Sequence, residues 1–239
     1  MSPRTLVENI PSQIRLSFNI ESVDQLFPGF ALGNFAVLHG SPVALSLLML
    51  LCVRAQLPHS VGGLESNVVF VDGGNTFRLY DISYVARLLT LDPAEVLNRI
   101  FISRAFTAYQ MTSLILDELK SAVEMHDSKL IIISDITGLY LDKDVPEREA
   151  RDVFNQLTTY LSRFTEENRV VVVATHIPRD PSKRSIFFKE ALCGRANVVA
   201  VVKPSKHGHR FVLEKHSLFK LGSTCFPSTN LTLTKFMEV

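Results

Sequence analysis

FAVLHGSPVALSLLMLL, residues 35–51, is the stretch on which the fold turns. Phe35–His39 is a run of bulky, mostly apolar residues that reads as a strand. Gly40-Ser41-Pro42 follows as a tight turn, and Val43–Gln56 then carries apolar residues on all sides, as a helix buried against a sheet does. In nucleotide-binding proteins with this strand–turn–helix layout the turn reads G-x-x-x-x-G-K-[ST]. There backbone N–H groups cradle phosphates, the Lys reaches the terminal phosphates and the Ser/Thr hydroxyl meets Mg²⁺. Here Gly40 opens the turn correctly, but Leu45 stands at the second Gly, Ser46 at the Lys and Leu47 at the Ser/Thr.

Outward from this unit, apolar runs alternate with helical patterns. Val68–Asp72, Ile100–Arg104, Leu130–Asp135 and Val170–Thr175 read as strands. Phe77–Leu89, a short helix opened by Asp92 and Pro93, Ala108–His126 and Pro146–Phe164 read as the intervening helices. Residues 1–20 form a short lead-in, and Ile20–Phe27 a helix ended by Pro28-Gly29. After Thr175 the pattern changes. Ile177–Asn197 is polar and basic, and Val198–Val202, Phe211–Glu214 and Leu231–Thr234 look like short strands joined by turns such as His207-Gly208. The expected fold is α/β: a doubly wound, mostly parallel central sheet with antiparallel edge strands from the C-terminal part. With no linker and no repeat, residues 1–239 are expected to form a single domain.

The chain is 46% hydrophobic and 21% charged, a globular composition. Cys52, Cys193 and Cys225 are odd in number and widely spaced, which suits a reducing compartment. The N-terminus lacks the pattern of a secretory signal, and the apolar run Val43–Val53 is too short to span a bilayer. The expected location is cytoplasmic in a prokaryote or nuclear in a eukaryote, with no membrane partner. Charge is asymmetric. Between Ile177 and Lys220 ten Lys/Arg stand against three acids, a net +7, whereas the whole chain carries only +1. Such a segment fits either a solvated basic edge or a polyanionic partner.

In open α/β sheets ligands bind beyond the carboxyl ends of the strands. The residues expected there are Gly40, Ser41 and Pro42; Asp72, Gly73, Gly74 and Asn75; Ser134, Asp135 and Thr137; and Thr175 and His176. Asp135 ends an apolar strand, as a Mg²⁺-holding carboxylate would, but also as a turn cap would. His39, His176, His207, His209 and His216 are too scattered in sequence to define a metal site, so no metal is expected.

An ordered series of segments resembles the core domain of the RadA/RecA recombinase family, most closely its archaeal and eukaryotic branch. Ser22-Val23-Asp24-Gln25-Leu26 with Gly29 and Gly33 is similar to the segment leading into the family's phosphate loop. Gln56-Leu57-Pro58 with Gly62-Gly63 is similar to the approach to its second strand. Val71-Asp72-Gly73-Gly74-Asn75-Thr76-Phe77-Arg78 resembles its I-D-T-E-G-T-F-R. Leu91-Asp92-Pro93, Ser103-Arg104-Ala105-Phe106, Gln110, Ile133-Ser134-Asp135 and Gly138-Leu139-Tyr140 follow in family order. The resemblance implies a RecA-like P-loop NTPase fold, here without the family's N-terminal helical DNA-binding domain.

The departures fall on the family's chemistry. Besides Ser46 and Leu47, the catalytic Glu falls at Gly74 and the polar residue that senses the γ-phosphate falls at Ile177, beside His176. Phosphoryl transfer is positioning and charge stabilisation, so these losses imply no catalytic residues, no ATP hydrolysis and no cofactor, neither ATP nor Mg²⁺. The degenerate site comprises Gly40, Ser41, Ser46, Leu47, Gly74 and Asp135. The family's first DNA-binding loop corresponds to Asp142–Arg151, where four acids offset three bases; the second corresponds to Pro178–Asn197, which is basic. The candidate DNA contacts are Arg179, Lys183, Arg184, Lys189 and Arg195, extended by Lys203, Lys206, Arg210 and Lys215, with Phe187 and Phe188 either stacking on bases or packing in the core. The expected function is that of a catalytically inactive relative of the recombinases, binding DNA, a related recombinase or both in recombination or repair. The alternatives are a regulatory or oligomerising module without nucleic-acid binding, and an NTPase whose missing cation comes from a neighbouring chain.

Overall fold

A computed structural model describes residues 14–178 and 181–227. In chain order the elements are β1 (Arg15–Leu16), α1 (Glu21–Leu26), β2 (Phe30–Ala31), β3 (Phe35–Gly40), α2 (Val43–Arg54), β4 (Asn67–Asp72), α3 (Leu79–Leu88), α4 (Pro93–Asn98), β5 (Ile100–Arg104), α5 (Ala108–Ser113), α6 (Leu119–Met125), β6 (Ser128–Ser134), α7 (Glu147–Asn168), β7 (Val171–His176), α8 (Lys183–Arg195), β8 (Val198–Ser205), β9 (Gly208–Lys215) and β10 (Gly222–Phe226). Eight strands form one sheet in the order β10-β9-β8-β3-β7-β6-β4-β5. The six from β8 to β5 run parallel, and β9 and β10 extend it as antiparallel strands.

The central strands are apolar on both faces because both are covered. On one side α2, α3 and α4 bury Leu47, Leu48, Leu51, Ile82, Ala86 and Val96 with Ala36, Leu38, Val68, Phe70, Ile132 and Val173. On the other, α5 to α8 bury Met111, Ile115, Phe154, Leu157 and Phe188 with Phe35, Val37, Val71, Ile131, Ile133 and Val172. All six parallel strands therefore present their carboxyl ends on one rim, as a doubly wound sheet requires.

The lead-in is tied to the body. Buried Arg54 at the end of α2 donates from Nε to the Ser17 carbonyl (3.3 Å), from Nη2 to Ser17 Oγ (3.0 Å), and to the Val61 carbonyl. Phe18 of the lead-in packs edge-on against Phe30 and Phe211, and Phe27 packs edge-on against Phe30 and stacks on Phe211.

Several boundaries differ from the sequence expectation, each for a local reason. α3 starts at Leu79 because the Phe77 N–H is taken by Asp72 Oδ2 (3.2 Å). The expected helix Ala108–His126 contains a wide π-helical turn at Leu114–Glu118 between α5 and α6. β6 stops at Ser134, and Asp135 turns into the left-handed region (φ 47). β8 runs on to Ser205 because its distal half pairs with β9, and β10 was not expected from its polar sequence. The expected strand Leu231–Thr234 lies outside the described residues. Among the described residues no helix is long and apolar enough to cross a membrane.

Candidate functional site: the strand ends

β3 ends at Gly40 and α2 begins at Val43, so only Ser41 and Pro42 separate strand from helix. Gly40 is required: φ is +106, and a Cβ there would lie 2.4 Å from the Val202 carbonyl oxygen on β8. The turn is closed by its own backbone. Ser41 N–H donates to Val202 O (2.8 Å), Ala44 N–H to Ser41 O (3.0 Å) and Leu45 N–H to Pro42 O (2.9 Å), while Pro42 has no N–H. A phosphate cradle needs such N–H groups directed at a common external centre. Leu45 and Leu47, in the first turns of α2, are buried in the core, and Ser46 is half-buried.

The second strand end is occupied structurally. Asp72 is buried, and its Oδ1 accepts from Thr76 N–H (2.8 Å), Thr76 Oγ1 (3.2 Å) and Ser134 Oγ (2.8 Å). Its Oδ2 accepts from Phe77 N–H and lies 3.7 Å from Arg104 Nε. This carboxylate holds the turn Gly73–Phe77. At Gly74 a Cβ would lie 2.8 Å from Thr76 Cγ2 and 3.0 Å from Asp135 Oδ2; at Gly138 it would lie 2.5 Å from Asp135 Oδ2. The buried Asp135 side chain is thus walled by two glycines, and its N–H donates to Thr175 Oγ1 (2.9 Å). Gly40 and Ser41 lie at the end of β3, Ser46 and Leu47 in the first turns of α2, and Gly74 and Asp135 next to each other after β4 and β6.

The strand register also brings together two histidines that are distant in sequence. His39 and His176 are direct neighbours on β3 and β7, and both are buried. His176 Nδ1 lies 2.7 Å from Thr137 Oγ1, and His39 Nε2 lies 3.2 Å from Glu214 Oε2 on β9. Burial lowers the pKa of His176 from an ordinary value near 6.5 to about 4, reinforced by His39 and by Lys189. Burial and Lys189 likewise lower that of His39, against Glu214, which raises it. Below pH 6.5 the unfolded chain takes up protons at these positions that the folded chain does not. Stability is therefore full above pH 6.5 and falls as pH drops towards 4, by about 3 kcal/mol for His176, and His176→Gln flattens that slope in urea unfolding curves measured across the range. Among the described residues no cluster of His, Cys, Asp and Glu could hold a metal ion.

The basic segment is not a loop. Lys183–Arg195 is helix α8, capped by Ser182 Oγ on the Ser185 N–H, and its cations go to different tasks. Arg184 is a clamp, donating from Nε to Tyr140 O (2.9 Å) and from Nη2 to Val145 O (3.0 Å). Phe188 is fully buried against Phe154 and Tyr140, and Phe187 lies under the Arg151 guanidinium at 4.4 Å, so core packing has claimed both rings. Arg184→Ala is expected to lower stability by about 1–3 kcal/mol in urea unfolding. Lys183 is exposed in the first turn, Lys189 is half-buried beside the histidines, and Arg195 is exposed at the far end of α8. Lys203, Lys206 and Arg210 stand exposed at the β8–β9 hairpin. Arg179 lies outside the described residues. Burial raises the Cys193 thiol to about 11, the opposite of what a nucleophile needs.

This sheet order, with its closed turn at the end of β3, can be set beside known sequences. The sequence model of the Rad51 family matches residues 15–193, about three-quarters of the chain. The chain belongs to the Rad51 family. It is similar to the "DNA repair and recombination protein RadA" of Aeropyrum pernix, 29% identical over 160 residues that cover 65% of this chain and 46% of that protein. It is also similar to the protein of the same description from Cenarchaeum symbiosum, 30% identical over 129 residues covering 53% of this chain and 32% of that one. The chain thus spans less than half the length of these curated relatives.

The Rad51-family match ends at Cys193, inside α8, so β8, β9 and β10 lie beyond the matched segment. The family pattern also explains what linear reading could place and what it could not. A Cβ on Gly74 would lie 3.0 Å from both Cβ and Oδ2 of Asp135, so the two positions are adjacent. The row Glu214–His39–His176–Thr137 was not foreseen as a unit. The one signal that could have found it is that His39 and His176 both end apolar strands of a parallel sheet, whose ends converge.

Proposed function

We propose that this Rad51-family chain is a non-catalytic accessory protein of recombination or repair, which works by binding DNA, a related recombinase or a second copy of itself. The observation that carries the reading is the closed turn: the N–H groups of Ser41, Ala44 and Leu45 are spent on the chain's own carbonyls, where a nucleotide's phosphates would need them. The replaced Lys, Ser/Thr and Glu at Ser46, Leu47 and Gly74 support it, as do the recombination and repair descriptions of the relatives. Phosphate release from ATP with Mg²⁺, with and without DNA, is expected to stay at the buffer rate and to be unchanged in Asp135→Ala. Mg²⁺-dependent turnover lost in that variant would establish an atypical NTPase instead.

A protein partner is favoured by a separate observation. Among the described residues β5 is one of the two terminal strands of the sheet, and Ile102, Phe106 (71% exposed), Tyr109 and Met125 (77% exposed) are exposed apolar side chains on or near it. An unprotected strand edge flanked by apolar side chains is a template for strand addition. Light scattering is expected to show an assembly larger than one chain, alone or with an added recombinase, that Ile102→Lys/Phe106→Glu dissolves; a monomer under all conditions overturns this part.

A further inference from the structure

We propose that a cavity of about 270 Å³ at the amino ends of β3 and β7 is a binding site for a small oxyanion, a phosphate or carboxylate head group, held by Arg169, His216 and Asn34. The site is independent of the accessory-protein reading above. It is lined by Arg15, Asn34, Glu166, Arg169, His216 and Ser217, among others. Asn34 immediately precedes β3, and Arg169 stands two residues before β7. These strands are parallel, so the cavity lies at the opposite rim of the sheet from Gly40 and His176.

The fold leaves donors over at this cavity. Asn34 Oδ1 accepts from the Ala31 N–H (2.8 Å), which leaves its Nδ2 amide to donate. His216 Nδ1 accepts from the Leu218 N–H (2.9 Å) and the Phe219 N–H (3.1 Å). A ring nitrogen that accepts carries no proton, so the imidazole proton sits on Nε2 and is a donor there. Arg169 forms no ion pair among the described residues. Its backbone is also unusual. It ends α7 in the left-handed region (φ 54), where Gly is the favoured residue, and a strained side-chain-bearing residue of this kind marks a position kept for its side chain. Arg15 adds positive charge from the wall. Its Nη1 donates to Gly29 O (3.4 Å), its guanidinium lies 5.0 Å from the Phe219 ring, and burial together with its charge lowers the pKa of His216. Glu166 is the one acid among the lining residues, and it is exposed. Donors converging on a cavity this small suit a compact oxyanion rather than a polymer, and guanidinium groups take phosphate and carboxylate alike.

The test is an NMR titration of the full, ¹⁵N-labelled chain, following the ring nitrogens of His216. Inorganic phosphate and propionate are added in separate arms, each against sodium chloride at the same ionic strength. A saturable shift with either probe and none with chloride is the expected result, and the probe that binds more tightly tells a phosphate head group from a carboxylate. Asn34→Asp keeps the acceptor for the Ala31 N–H but puts a negative oxygen where the donor was, and is expected to weaken binding about tenfold or more. Arg169→Gly is expected to weaken it by a similar factor while leaving Tm unchanged or raised, because Gly relieves the left-handed backbone. A merely structural Arg169 would not give that pair of results. No saturable shift with either probe, or an affinity within about twofold of wild type in either variant, overturns the site.

Discussion

Restoring the phosphate-loop motif with Leu45→Gly, Ser46→Lys and Leu47→Thr is expected to lower stability by about 5 kcal/mol and to yield no ATP hydrolysis. Leu45 and Leu47 are buried in the first turns of α2, within the core cluster that α2 shares with the sheet and α3. Truncating a buried Leu costs about 2–5 kcal/mol by lost transfer energy and cavity, and Gly in a helix adds about 1 kcal/mol over Ala. Thr at position 47 also buries a hydroxyl in apolar surroundings, although its i−4 carbonyl can accept from it. Nothing is gained in return. α2 starts two residues after Ser41, and the Ala44 and Leu45 N–H groups already bond within the turn. Urea unfolding and phosphate release measure the two halves. A variant as stable as the parent, or one that turns over ATP, would show that the turn still holds the shape of a phosphate loop.

Asp72→Ala is expected to cost about 3–5 kcal/mol, among the largest single-residue effects outside the aromatic core. The carboxylate is buried and serves three N–H groups, of Gly74, Thr76 and Phe77, and two hydroxyls, with Arg104 alongside. Removing it leaves the Thr76 and Phe77 N–H groups and the Ser134 hydroxyl without their acceptor near the centre of the rim. Asp72→Asn keeps one acceptor oxygen and is expected to cost about 1–3 kcal/mol. Thermal unfolding of the two variants distinguishes this turn-holding role from a surface role, for which both changes would be nearly silent.

Much of the fold was legible because the parallel strands announce themselves. Val68–Asp72, Leu130–Ser134 and Val171–Thr175 are continuous apolar runs, buried on both faces and bounded by turns. The start of α4 was equally plain, since Asp92 and Pro93 carry cap chemistry in the sequence itself, and Asp92 does accept from the Ala94 N–H at 2.7 Å. β10 was hidden because Gly222-Ser223-Thr224 has no apolar face of its own; it is a strand by pairing with β9 and packing on α1. α8 was hidden because its sequence is dominated by cations, and the Ser182 cap and the two fully buried apolar residues Phe188 and Leu192 that seat it are too sparse to mark a helical face. At the site, the list of substituted residues came from sequence. The roles of Arg184 as a clamp, Asp72 as a turn-holder and His39 beside His176 came from register and burial, which no linear spacing encodes.

In the proposed reading, Leu45, Ser46, Leu47 and Gly74 act together at the strand ends. Leu45 and Leu47 extend the core under α2; Gly74 makes room for the enclosed Asp135. We propose that the rim receives no phosphate: the turn after β3 is closed by backbone hydrogen bonds, and His39 and His176 lie buried at the ends of β3 and β7. Amide hydrogen exchange at Ser41, Ala44 and Leu45, followed with and without millimolar ATP and Mg²⁺, tests this most directly. The sealed turn predicts slow exchange at all three amides that nucleotide does not alter. Fast exchange in the free chain that slows on adding ATP and Mg²⁺ would contradict it and reopen the site as a phosphate cradle.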